Sequence, residues 1–301
     1  MGYNLKSIKK QFAENGVFYT PPELAELLKS YIKFKPKTVY DPTCGDGSLL
    51  SVFDDDVAKY GQEINGEQLE VAKNRLVNFT GFCGDTLTSP AFGDMKFSCI
   101  IANPPFSIKW QPFEDERFST SPVLPPPSKA DYAFILHILH YLTNDGIAVT
   151  LNFPGILYRG QKEGKIRQWL VEENYIERVC HIPCNTFVDT KIATALVVFR
   201  KNKDTTDVIF EDRQTGKERV VTFEEIKDND FNLCVNTYIQ EEVPKKIVDP
   251  IKLNNEARDA MYKRLINDIK VDLMVCEFEN INQEEYLDKL MEIIKEFKKG
   301  V

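Results

Sequence analysis

The chain has 301 residues, 43% hydrophobic and 28% charged, the balance of an ordinary soluble globule with room for a large core. No signal peptide and no apolar run long enough to span a membrane is present, and the seven cysteines form no Cys-x-x-Cys pair, so reduced thiols in the cytoplasm are expected. A net charge of −8 argues against a free-standing binder of nucleic acid, whose phosphate contacts need local Lys and Arg.

The first predicted element is a helix opening at Thr20-Pro21-Pro22-Glu23, with Thr20 as a credible cap and prolines at the first helical positions. Val39-Tyr40-Asp41 then reads as a short strand entering the turn Pro42-Thr43-Cys44-Gly45-Asp46-Gly47 and a following helix. Gly45 and Gly47 let the backbone approach a ligand closely. Position 50 is Leu rather than a third glycine, and no Gly-Lys-Ser/Thr ending follows. A dinucleotide or triphosphate loop is therefore disfavoured, and a nucleoside-type ligand without a pyrophosphate remains.

About 20 residues on, Tyr60-Gly61-Gln62-Glu63 offers an acid at the strand end where a second βα unit meets ribose hydroxyls. Phe82-Cys83-Gly84-Asp85 ends a third strand in another acid, able to accept a proton from a purine amine. Asp41 itself could face a ligand ammonium group. The apolar run Phe97 to Ala102 is a buried strand, and Asn103-Pro104-Pro105-Phe106 follows at its C-terminal end, where open α/β sheets place ligands. That tetrad suits transfer to an amine conjugated with an aromatic ring. The Asn103 amide oxygen and the Pro104 carbonyl can each accept an N–H and aim the nitrogen lone pair. The two prolines stiffen the turn, and Phe106 offers a face for stacking.

Residues 107–130 form a long segment without periodicity, carrying Lys109, Trp110, Arg117 and Lys129; cations beside aromatics suit nucleic acid. Ala130 to Phe134 opens an amphipathic helix, Asn152 ends a fifth strand, and Gly164 to Leu170 begins another helix. Two β-rich runs, Val179 to Phe187 and Ala193 to Phe199, suggest a terminal hairpin. A second, added hairpin surrounds the Gln214-Thr215-Gly216 turn. From about Leu253 onward Met261, Leu265, Ile269 and then Tyr286, Leu290, Ile293, Phe297 recur at helical spacing. Cys180-His181 with Cys184 lacks a second ligand pair, so no metal site is expected.

On these residues the chain resembles S-adenosylmethionine-dependent amino-methyltransferases, and within them the adenine-N6 DNA methyltransferases like the modification subunits of type I restriction–modification systems. The resemblance spans roughly residues 12–240 and implies a Rossmann-like, seven-stranded α/β methyltransferase sheet with a terminal β-hairpin, plus a helical appendage at 250–301. It implies Asn103, Pro104, Pro105 and Phe106 as the catalytic tetrad. For the cofactor it implies Asp41, Pro42, Cys44, Gly45 and Gly47 as the turn, Glu63 at the ribose, Asp85 at the adenine, and Asn103. Residues 12–34 resemble the segment that closes over the methionine end, through Tyr19, Thr20 and Pro21. Such proteins usually carry more than a hundred residues of helical domain before this segment, where only about fifteen stand here. DNA and a separate specificity subunit are the implied partners, with 107–130 a DNA-facing loop and the C-terminal helices a docking element. Two rivals share the tetrad chemistry: methylation of base amines in ribosomal RNA, and of glutamine amides in protein. A non-enzymatic cofactor-binding scaffold would need an impaired tetrad, and this one is intact.

Overall fold

The computed structural model describes residues 20–184, 193–239 and 249–299. The chain divides into two compact units, Met1–Gln240 and Glu241–Val301.

The first unit is built on one sheet. Its strands are β1 (Thr38–Asp41), β2 (Ala58–Glu63), β3 (Phe79–Cys83), β4 (Phe97–Ala102), β5 (Leu142–Asn152), β6 (Ile176–Ile182), β7 (Thr194–Arg200), β8 (Val208–Asp212) and β9 (Lys217–Val221). Their order is β3-β2-β1-β4-β5-β7-β6-β8-β9. β1 to β5 run parallel, while β7 is antiparallel to both β5 and β6. The seven-stranded sheet is therefore present, and the added hairpin β8–β9 pairs with β6 and extends it to nine strands.

Strand residues alternate between two cores because successive side chains point to opposite faces. Tyr40, Ile100 and Ala148 enter one core, and Val39, Ile101 and Val149 the other. Helices α1 (Pro22–Ser30) and α2 (Gly66–Arg75) cover the second core. The first core is covered by α4 (Asp131–Tyr141) and α5 (Gln161–Glu172). Burial on both faces is what lets parallel strands run as continuous apolar stretches.

Two expectations need correcting. Helix α4 is not amphipathic: every residue except His140 is buried. The reason is that much of 107–130 packs inward against it. The segment contains the short helix α3 (Glu116–Ser119), and Trp110, Phe113, Phe118, Val123 and Leu124 all pack into the core that α4 shares. Nor does Thr20 cap α1. The cap position is Pro21, whose carbonyl accepts from the Leu24 and Ala25 amides, and among the described residues no side chain caps the helix.

After β9 come two short helices, α6 (Phe223–Asp228) and α7 (Val235–Tyr238). The second unit comprises α8 (Pro250–Phe278) and α9 (Gln283–Lys299). Near their joining turn the Tyr286 hydroxyl donates to Asp272 at 2.6 Å, and the Gln283 amide to the Leu273 carbonyl at 3.0 Å. Much of the apolar spacing read from the sequence stays open: Met261, Leu265, Ile293 and Phe297 are all exposed.

Candidate active site

The sheet order reverses direction between β1 and β4, which is where open α/β sheets form a ligand crevice. A cleft of ≈ 280 Å³ lies there, lined by Pro42, Gly45, Glu63, Asp85 and the whole of Asn103 to Phe106. Part of the turn after β1, two strand-end acids and the tetrad therefore share one cavity, although they come from four separate strand ends.

Each wall has a local cause. Glu63 ends β2, and its carboxylate accepts the Gly45 amide at 2.9 Å through one oxygen and the Asn65 amide at 2.9 Å through the other. One acid thus ties the β1 turn to the start of α2, while Asn65 caps that helix through the Glu67 and Gln68 amides. Asp85 accepts the Leu87 amide at 2.9 Å, which folds the loop beneath it. The buried Gln62 braces the same loop, donating to the Ser89 carbonyl at 2.8 Å and accepting from the Ala91 amide at 3.1 Å.

The other residues assigned to the turn stand behind it. Asp41 is 1% exposed and accepts the Thr43 amide at 2.9 Å, closing the turn rather than lining the cleft. Burial pushes its carboxyl up to about 8; the Thr43 amide opposes this and the Glu63 charge adds to it. Cys44 points under the turn onto Gly61, where a Cβ would lie 2.7 Å from its sulfur. Burial raises that thiol far above its usual range. Gly47 has φ +82°, and a Cβ there would meet Leu76 at 2.8 Å, so it serves helix packing, not ligand approach. Gly45 does face open space, with φ +54° and nothing within 4 Å of where a Cβ would stand.

Thr20 earns its place differently from the capping role expected. Its hydroxyl oxygen accepts the Asn103 side-chain N–H at 3.2 Å. That bond orients the amide and leaves Oδ1 as the atom able to receive a substrate amine. Thr20 itself is buried. Pro21 follows it at the α1 cap. Tyr19 lies outside the described residues.

The segment 107–130 contributes Ile108, Lys109, Trp110 and Gln111 to the cleft. Lys109 is exposed. Arg117 is not a surface cation: it is 3% exposed and clamps the interior. Its guanidinium donates to Asp115, to the Thr86 carbonyl at 2.9 Å and the Leu87 carbonyl at 2.7 Å, and to His137 Nδ1 at 3.1 Å. His137 is therefore the Nε2–H tautomer, donating to the Tyr40 hydroxyl at 3.0 Å. Burial first, and then the Arg117 charge, push its pKa well down and keep it neutral.

Sequence reasoning missed Ile64. It lies on the cleft wall beside Glu63 and is 69% exposed, an apolar plate next to an acid. The available signal was an isoleucine directly after a strand-end carboxylate. His181, considered with Cys180 and Cys184, bonds Asp212 at 3.1 Å through Nδ1. Among the described residues no helix is long and apolar enough to cross a membrane.

A family model described as N-6 DNA Methylase matches residues 3–220. The chain is 32% identical over 340 residues to the type I restriction enzyme MpnII methylase subunit of Mycoplasma pneumoniae, covering 89% of this chain and 62% of that protein. It is 26% identical over 284 residues to the HindI methylase subunit of Haemophilus influenzae, covering 75% and 64%. Among solved structures, the type I restriction-modification system methyltransferase subunit of Streptococcus thermophilus superposes with a TM-score of 0.67 at 30% identity, covering 74% of this chain and 59% of that one. The chain thus spans less than two thirds of the length of these relatives. With that match over more than half its residues, and with the tetrad and strand-end acids in one cleft, the chain belongs to the N-6 DNA methylase family.

Proposed function

We propose that the chain methylates the N6 amine of adenine in DNA, with S-adenosylmethionine as donor, in the cytoplasm and together with a separate specificity subunit. The observation that carries this reading is the Asn103 amide, oriented by Thr20 at the end of β4, in the same cleft as Glu63 and Asp85.

The residues present fit the donor. Glu63 is fixed by two backbone amides and retains lone pairs for ribose hydroxyls. Ile64 offers an apolar face for a purine, Asp85 on the same cleft supplies an acceptor for its amine, and open space at Gly45 admits a close approach. S-adenosylmethionine supplies an activated methyl group on a sulfonium centre.

The acceptor side follows from the tetrad. An adenine stacked in a duplex is out of reach, so it must be extruded, at a cost of about a few kcal/mol. Phe106 lines the cleft and offers its ring to the extruded base. Asn103 Oδ1 and the Pro104 carbonyl hold the two amine N–H groups, turning the lone pair away from the ring and toward the methyl. The prolines donate no hydrogen bonds and fix φ, so the two acceptors keep their separation.

Sequence choice is assigned to a partner because the chain carries net charge −8. The exposed apolar rows of α8 and α9 are the surface offered to it. Transfer of labelled methyl to duplex DNA, RNA and protein, with and without a specificity subunit, tests the reading. DNA should be labelled, and Asn103→Ala should lower the rate roughly 10²–10³-fold while cofactor affinity persists. Labelling of RNA or protein in place of DNA, or undiminished turnover in Asn103→Ala, would overturn it.

A further inference from the structure

Directly after the tetrad, Ser107 adopts φ +53°, a left-handed conformation that is unfavourable for a residue with a side chain. Such a residue persists only where its surroundings hold it. Two groups from distant elements do so. Asp131, the first residue of α4, accepts the Ser107 amide at 3.3 Å and its hydroxyl at 3.5 Å through Oδ1. Arg159, beyond β5, donates to the same hydroxyl at 3.3 Å and pairs with the buried Glu163 at 3.3 Å. Its guanidinium lies over the Phe153 ring at 5.1 Å. It passes so close to Gly155 that a Cβ there would come within 2.4 Å of it.

Asp131 is 5% exposed, and its second oxygen, Oδ2, has no hydrogen-bond partner among the described residues. A half-satisfied buried carboxylate is costly, and burial raises its pKa. What the cluster achieves is local: it holds the residue that directly follows Phe106, whose ring packs against the second core.

We propose that Asp131 and Arg159 are positioning residues that clamp Ser107 and thereby set the Phe106 ring for the extruded base. The inference rests on the methyltransferase reading above and deepens it. Neither residue lines the cleft, so each acts through Ser107. The clamp is an off-site determinant of turnover, and the donor side of the cleft does not depend on it.

The test uses the full chain with a specificity subunit and duplex DNA, comparing Asp131→Ala, Asp131→Asn, Ser107→Ala and the Asp131→Ala/Ser107→Ala double variant. Turnover in Asp131→Ala should fall ten- to hundredfold, with cofactor affinity within about twofold of the unmodified chain. Asp131→Asn keeps an acceptor for the Ser107 amide and should recover most of the loss. Residues that act as one clamp are non-additive, so the double variant should be no slower than the slower single. Hydrogen exchange gives a readout independent of turnover: amides at 106–108 should exchange at least tenfold faster in Asp131→Ala, while those of α4 keep their protection. Additive losses, loosened α4 amides, or a fall in cofactor affinity matching the fall in rate would overturn the clamp. Failure of the unmodified chain to label DNA would instead count against the proposed function, and the exchange measurement would still decide the clamp.

Discussion

Asp41 shows how one side chain can serve the site without entering it. Its carboxyl is raised to about 8, chiefly by burial, against an ordinary 3.8. Folding therefore takes up a proton between those values. The stabilisation is complete below about pH 4 and is lost as pH rises through about 8. The protein should be about 2 kcal/mol less stable at pH 8.5 than at pH 6.5 from this group alone. Asp41→Asn keeps the acceptor for the Thr43 amide and should remove that part of the pH dependence. Denaturant melts of both proteins at the two pH values would show it; identical pH dependence in the two would place the sensitivity elsewhere. Thr20 makes the complementary point. Thr-Pro-Pro looked like a helix start, and it is one. The contact from Thr20 to Asn103 crosses 83 residues, and nothing in local spacing encodes it.

At the scale of elements, the alternation of strand and helix was legible because buried parallel strands leave apolar runs and their ends carry acids. The turn after β1 was legible only in part. Both of its glycines suggested close ligand approach, but only Gly45 faces the cleft, while Gly47 faces Leu76 and Ala72. Gly45→Ala and Gly47→Ala share the left-handed backbone penalty and should differ in consequence. Gly47→Ala should lower the melting temperature more, by roughly 1–3 kcal/mol in stability, because the added methyl meets α2's far end. Gly45→Ala should weaken cofactor binding more than it lowers stability. Calorimetric titration beside thermal melts separates the two, and the reverse pattern would contradict the assignment. The segment 107–130 was legible in its composition but not in its packing, for a physical reason. Aromatics next to cations suit nucleic acid, but they equally build a buried lid over a helix. Sequence alone does not say which way Arg117 turns.

For the whole molecule, the two units divide at Gln240 and Glu241, and the apolar rows of α8 and α9 remain exposed. If those rows dock on a specificity subunit, a chain ending near residue 245 should bind cofactor as before and lose co-elution with that subunit in size-exclusion chromatography. Complex formation unaffected by the truncation would remove the helices from the docking surface. From sequence, a seven-stranded sheet ending in one hairpin is expected, with the second hairpin as a separate addition. Their merger depends on β8 pairing with β6, a register set by tertiary contact.

Arg117 has a consequence beyond holding the fold together. One guanidinium closes the loop that carries Asp85, anchors the segment whose first residues line the cleft, and reaches β1 through His137 and Tyr40. Ordering either side of that junction should then lower the entropic cost of ordering the other. Donor and acceptor should then bind cooperatively with no change of shape. Saturation with S-adenosylmethionine alone should slow amide exchange at 115–118, and tighten binding of an adenine-containing duplex by the same factor that the duplex tightens binding of the donor.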